Sequence, residues 1–260
     1  MAHRASNLKH RTARFIPIAA ALSVLMLATG CSSTKQGAIG THASATGQAY
    51  AAPGSSEARR AVSSWGARYE KNRQDKNAIL GYASALRQNE QTPQAMAVLR
   101  SGVISHPRDR QIASAYGKIL AIGGKFGEAL NVLQGAQNPQ TPDWKLMSAE
   151  AAVYDQMGNH KRAQALYNQA LKIEPNEPSI LNNLGLSHLL SNQLPEAEYT
   201  LRKAASLPGA DSRVRQNLVL ALGVQGKFAE AEQIARSEMD PRQAEANIAY
   251  LRQMMSSTHG

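Results

Sequence analysis

Few side chains among these 260 residues carry chemistry by type and spacing alone. Cys31 is the single cysteine, so it has no internal disulfide partner, and a bare thiol in an oxidising compartment is a liability unless it is modified. Glu150, His160 and His188 stand alone: no paired carboxylate, activated nucleophile or metal-spaced companion accompanies them, and acid–base chemistry needs such a set. The chain has no nucleophile elbow, phosphate-binding glycine loop, zinc-protease helix or Cys/His cluster. The expectation is therefore a protein that is not an enzyme and takes no metal, no small-molecule substrate and no cofactor beyond a lipid carried covalently on Cys31. A second set of residues suits recognition instead. Asn183 and Asn217 each offer amide donors and an acceptor to the backbone of an extended peptide, while Lys145 and Arg213 are suited to a carboxylate.

The elements that must position these groups follow from a repeat. Ala95, Ala129, Ala163, Ala197 and Ala231 stand 34 residues apart without a slip, which is the period of tetratricopeptide (TPR) arrays. Twelve residues before each lie Ala83, Gly117, Ala151, Gly185 and Val219; four after lie Leu99, Leu133, Tyr167, Leu201 and Ala235. Close helix approach needs small contact residues, so the alanine column is expected to face the Gly/Ala column where the two helices of a repeat touch. The fold class is accordingly all-α, a TPR superhelical solenoid of five helix pairs with a flanking helix at each end. An aromatic content of 5% suits Ala/Leu-packed helices.

Along the chain, Met1 to Arg14 is basic without acids, and Phe15 to Ala28 is an apolar run broken only by Pro17 and Ser23. Residues 1–30 read as a secretory signal, and the apolar run within them is too short for a span of about 20 apolar residues. Ala28-Thr29-Gly30-Cys31 resembles a bacterial lipobox, with Ala28 where leucine is usual. That resemblance implies acylation of Cys31 and a membrane held through a lipid anchor, and Ser32 in place of an aspartate implies the outer membrane, facing the periplasm. Residues 31–56, rich in Ser, Gly, Ala, Thr and Gln, cannot bury a core and read as a tether. The formal charge of +10 falls to +6 without the four leader cations. These charges are dispersed and form no aromatic-interleaved block, so no nucleic acid is expected.

The TPR domain spans 57–256. Glu57 to Asn72 reads as an opening helix whose Trp65 and Tyr69 pack, and Arg242 to Met255 as a closing helix with Ala244, Ile248, Leu251 and Met255 inward. Between them five repeats run at 76–109, 110–143, 144–177, 178–211 and 212–241. First helices end at Gly123-Gly124, Gly158-Asn159, Asn192-Gln193 and Gly226, and second helices stop near Pro107, Pro139, Pro142, Pro175, Pro208 and Pro241. Asn176 is the expected N-cap ahead of Pro178. First helices line the concave face of such a superhelix. Their sixth position reads Gly81, Ala115, Ala149, Asn183, Asn217, and Lys145 and Arg213 share the second. Asn183 and Arg213 match two places of the carboxylate clamp of some TPR proteins, but Ser148 and Ala152 replace the rest, so that clamp is not expected. His160 aligns with Phe126 and Phe228, and His188 with Tyr154, which points to packing. Glu150 aligns with Tyr82, Tyr116, Leu184 and Leu218, so its carboxylate needs a partner, a proton or solvent. Leu186, Leu189 and Leu190 form an apolar strip, buried against a neighbouring repeat or open to a ligand.

Leu181-Asn182-Asn183-Leu184-Gly185-Leu186-Ser187-His188, then Ala197-Glu198, Leu201-Arg202 and Ala204, resemble one narrower group. So do Pro208-Gly209-Ala210-Asp211, Arg215-Gln216-Asn217-Leu218 and Gly226-Lys227-Phe228-Ala229-Glu230-Ala231-Glu232. Over roughly 55–255 the chain resembles the TadD family, TPR lipoproteins of the tight-adherence (Tad) system that assembles Flp pili; Asn192 and Glu150 depart from the pattern. The resemblance implies a non-enzymatic adaptor near the outer membrane, with other Tad/Flp pilus assembly proteins, the outer-membrane secretin among them, as partners. Alternatives are a TPR adaptor for barrel assembly or cell-wall synthesis and, more remotely, an envelope hydrolase using Glu150.

Overall fold

The structure, a computed structural model, describes residues 52–257. The leader, Cys31 and nearly all of the tether lie outside the described residues. The described residues form helices and no strands: α1 (Ser56–Lys71), α2 (Lys76–Gln88), α3 (Thr92–Ser105), α4 (Arg110–Ile122), α5 (Phe126–Ala136), α6 (Trp144–Gln156), α7 (His160–Ile173), α8 (Pro178–Leu190), α9 (Leu194–Ser206), α10 (Ser212–Val224), α11 (Phe228–Glu238) and α12 (Pro241–Ser257). The pairs α2/α3 to α10/α11 are the five repeats; α1 and α12 flank them. None of these helices is long and apolar enough to cross a membrane.

Two further columns at the same period explain where the helices begin and turn. Asp75, Asp109, Asp143, Glu177 and Asp211 each cap the first helix of a repeat, with a side-chain oxygen accepting from a backbone N–H of its opening turn. A carboxylate there satisfies an orphan donor and faces the positive end of the helix dipole. The cap before Pro178 is thus Glu177 and not Asn176, because Glu177 is the residue in register with the four aspartates. Between the paired helices, Glu90, Gly124, Gly158, Asn192 and Gly226 all take positive φ, from 59° to 76°. Glycine meets that demand at three of the five; Glu90 meets it against its own preference.

The alanine column is fully buried, each member 0% exposed. The small-residue column that it is expected to face also receives larger neighbours. A Cβ added to Gly117 would lie 2.5 Å from the Leu133 side chain, and one on Gly185 would lie 2.6 Å from Leu201. The glycines therefore receive the large residue four places after each alanine, so small faces large, and a small residue on one helix makes the hole that a leucine on its partner fills. At the N-terminal end the ring of Trp65 on α1 lies against Gly81, where a Cβ would come within 2.3 Å, and Tyr69 stacks at 5.5 Å on Tyr82. Trp65 is packing, and Gly81, expected on the open wall, is covered. At the other end Ala244, Ile248 and Leu251 of α12 are buried over α10 and α11, while Met255 is only partly covered.

Consecutive first helices touch one another along the whole array, and consecutive second helices do not. The first helices therefore form the inner wall and the second helices the outer one. The apolar core follows this line as successive clusters, one running from α1 to α6 and another closing α8 to α12, as expected when each repeat packs only on its neighbours.

Candidate functional site

The inner wall is where successive repeats present side chains in one direction, and its polar residues are the candidate site. Asn183 donates from Nδ2 to Ser148 Oγ at 3.4 Å, Asn217 donates to Asn182 Oδ1 at 2.8 Å, and Asn182 donates to Asn183 Oδ1 at 3.3 Å. Asn183 and Asn217 are one period apart, and each bonds a residue 35 positions earlier on the preceding first helix. The result is an amide ladder across α6, α8 and α10, bonded side to side and only partly buried. Each carboxamide has more donors and acceptors than the ladder consumes, so capacity is left for a bound chain. Asn182, a rung of this ladder, was missed in the sequence; its register with Ser114 and Ser148 was the available signal.

Lys145 and Arg213, though both second-position residues, are used differently. Arg213, 69% exposed, donates from Nε and Nη2 to Asp211, the cap of its own helix. Lys145 sits over the Trp144 ring at 5.3 Å and borders a hollow of about 280 Å³ on the wall of repeats 1 to 3. Arg87, Arg110 and Lys118 line the same hollow, with Leu80 and Ala83 among its apolar residues. Lys118 keeps solvent contact, yet the surrounding walls hold its ammonium below the ordinary lysine range, and Arg87 and Lys145 push it further down. Of the four residues singled out in the sequence, the structure joins Asn183 and Asn217 and places Lys145 in a separate basic hollow.

Comparisons with known proteins agree on the architecture. The tetratricopeptide-repeat family profile matches residues 148–212, the stretch that holds most of the amide ladder. A tetratricopeptide repeat protein from Parabacteroides merdae superposes with a TM-score of 0.62 over 78% of each chain at 11% identity. The chain has the fold of a TPR superhelical solenoid. PilW, a widely conserved type IV pilus biogenesis factor, has the same fold, with a TM-score of 0.57 and 18% identity over 76% of this chain and 91% of PilW. Among curated proteins, y4yS of Sinorhizobium fredii is 33% identical over 34% of this chain and 49% of its own. Human protein O-mannosyl-transferase TMTC1 is 22% identical over 53% of this chain and 16% of its own. The solenoid thus spans about half or less of the length of these two relatives.

Two acidic residues of the middle repeats, Glu150 and Asp155, are held by partners. Glu150, 6% exposed, accepts from Gln134 Nε2 at 2.8 Å, which satisfies the carboxylate at this apolar position. Asp155 gathers three groups: Ser187 Oγ donates to it at 2.7 Å, His160 Nδ1 lies at 2.8 Å, and the Tyr167 hydroxyl bonds the same carboxyl. His160 is therefore a hydrogen-bonding residue and not an apolar filler as its alignment with phenylalanines suggests. Burial holds the Asp155 carboxyl above the usual carboxylate range despite these bonds, and raises the Tyr167 phenol as well. A serine, a histidine and an aspartate meet here, but both of the others bond the aspartate. Ser187 is 0% exposed and has no bond to His160 to activate it, whereas nucleophilic catalysis needs that pair. His188 bonds Gln193 at 2.6 Å. Leu189 is buried, and Leu186 is partly covered against the C-terminal cluster, which assigns most of that strip to packing. Among the described residues no three His, Cys, Asp or Glu side chains are grouped to hold a metal.

Proposed function

We propose that this TPR solenoid is a protein–protein adaptor, anchored by lipidated Cys31 to the periplasmic face of the outer membrane and serving assembly of an Flp-type pilus of the Tad system. The observation that carries the adaptor reading is the amide ladder from Ser148 through Asn183 and Asn182 to Asn217. It offers repeating donors and acceptors along a concave wall, the arrangement an extended peptide backbone can satisfy. The finer reading is supported by the residues resembling TadD, most of which fall on α8 to α11, and by the leader ending in Cys31. The secretin of the pilus channel is the partner proposed first. Purification of the chain from detergent-solubilised envelope tests this. Co-purification of the secretin and other pilus proteins is the expected result; recovery of barrel-assembly or cell-wall proteins in their place overturns the pilus assignment. Cys31→Ser should leave the helices intact, by circular dichroism, and move the signal-cleaved protein from the membrane pellet to the soluble fraction. A mutant that still pellets refutes the anchor.

A further inference from the structure

The hollow that takes Lys145 is separate from the amide ladder and has an unbalanced charge. Arg87, Arg110, Lys118 and Lys145 reach it from three successive first helices, and the one carboxylate in its lining is Asp143. Asp143 is already engaged: its side chain accepts from the N–H groups of Lys145 and Leu146 as the cap of α6, and it lies 4.0 Å from Arg110. Among the described residues no carboxylate pairs with Arg87, Lys118 or Lys145. All three side chains are exposed, so solvent moderates their repulsion, and an anion joining them would offset what remains of it. A second observation points the same way. Ser114 lines the hollow, and its hydroxyl, engaged by no side-chain bond among the described residues, reaches solvent there and is available to an acceptor.

Resting on the adaptor reading, we infer that this hollow receives an acidic side chain of an extended protein segment, its carboxylate meeting Lys118, Arg87 and Lys145 and accepting from the Ser114 hydroxyl. Three features select a peptide. Leu80 and Ala83 give the hollow an apolar side for the aliphatic neighbour of the acid. Ser114 stands in the same helical register as Ser148 and Asn182, so a chain leaving the hollow runs onto the amide ladder. No aromatic ring lines the space, which leaves it without the stacking platform that single-stranded nucleic acids use.

The test uses the full-length chain in detergent and a fluorescent, N-acetylated and C-amidated heptapeptide of alternating Asp or Glu with Ala and Leu, followed by anisotropy. One peptide should bind per chain. Its Asn/Gln counterpart should bind about tenfold more weakly or worse, as should the wild-type peptide to Lys118→Gln or Arg87→Gln, since each change removes a charge-assisted bond. Affinity of the wild-type pair should also fall with salt, which needs no variant to fold. Equal binding of the neutral peptide, unchanged binding to folded Lys118→Gln, or tighter binding of inorganic phosphate than of the peptide overturns the inference. If the acidic peptide fails while the envelope purification still yields stable protein partners, the adaptor reading survives and this one falls.

Discussion

Asp155 ties three helices of the middle repeats together through single bonds to Ser187, His160 and Tyr167. Asp155→Ala should cost about 1–3 kcal/mol for each buried hydroxyl left without an acceptor, read as a lowered denaturation midpoint. The carboxyl is held above its ordinary 3.8 in the folded chain, so on raising the pH the unfolded chain ionises first. Its stabilising contribution is complete below that ordinary value and is lost as pH climbs through the raised one. The stability gap between wild type and Asp155→Asn should therefore narrow, or reverse, from about pH 4 upward, and a constant gap in urea titrations would rule this out. Glu90 gives the opposite case. It holds φ 60° where its counterparts are mostly glycine, so Glu90→Gly should stabilise the chain by about 0.5–1 kcal/mol. Neither residue was legible in advance: the sequence shows Glu90 without its dihedral, and nothing in the spacing of Asp155, Tyr167 and Ser187 brings them to one point.

At the scale of helices, the period was readable because every repeat buries the same faces, and five alanines at 0% exposure answer to it. Trp65 and the closing helix were readable for the same reason, since apolar residues at helical spacing must be covered. What periodicity does not contain is which column meets which across a helix pair. That Gly117 also takes Leu133 is decided by the tilt of one helix on the other. Ala197→Leu should still overpack the fourth repeat, at about 1–3 kcal/mol, and an unchanged melting curve would refute the register. The caps likewise depend on local geometry: Asn176 is the better N-cap by type, but the helix begins one residue later. Asp109 does two jobs, capping α4 and pairing with Lys76 of the preceding repeat at 2.7 Å. Asp109→Ala should accordingly cost at least the ~0.5–2 kcal/mol of a lost cap, measured against Asp75→Ala, for which the loss is the cap alone.

For the molecule as a whole, the succession of apolar clusters means that stability is distributed along a line. Removing α12 uncovers Leu222 and Gly223, against which Leu251 packs. A chain ending at residue 240 should therefore lose amide-exchange protection first in α10 and α11, with α2 to α5 the last affected. Uniform loss along the array would show that the repeats unfold as one unit. The position of the inner wall was legible from the repeat register, and so were two rungs of its ladder. The basic hollow was not, because Arg87, Lys118 and Lys145 occupy three different positions of the repeat and only the superhelical turn brings them to one place.

The two ends of the array are unlike halves. α1 packs on α2 as a second helix packs on the next repeat, and α12 meets α10 and α11 as the first helix of a sixth repeat would. Among the described residues the array is therefore flanked by half a unit on one side and the complementary half on the other. Laid tail to head, the last helix of one copy and the first helix of another would together supply a missing pair, which is the geometry of an open-ended polymer and not of a closed ring. Arg242, Glu245 and Gln253 are exposed on α12, charge and amide that a helix of another copy packed there would have to cover.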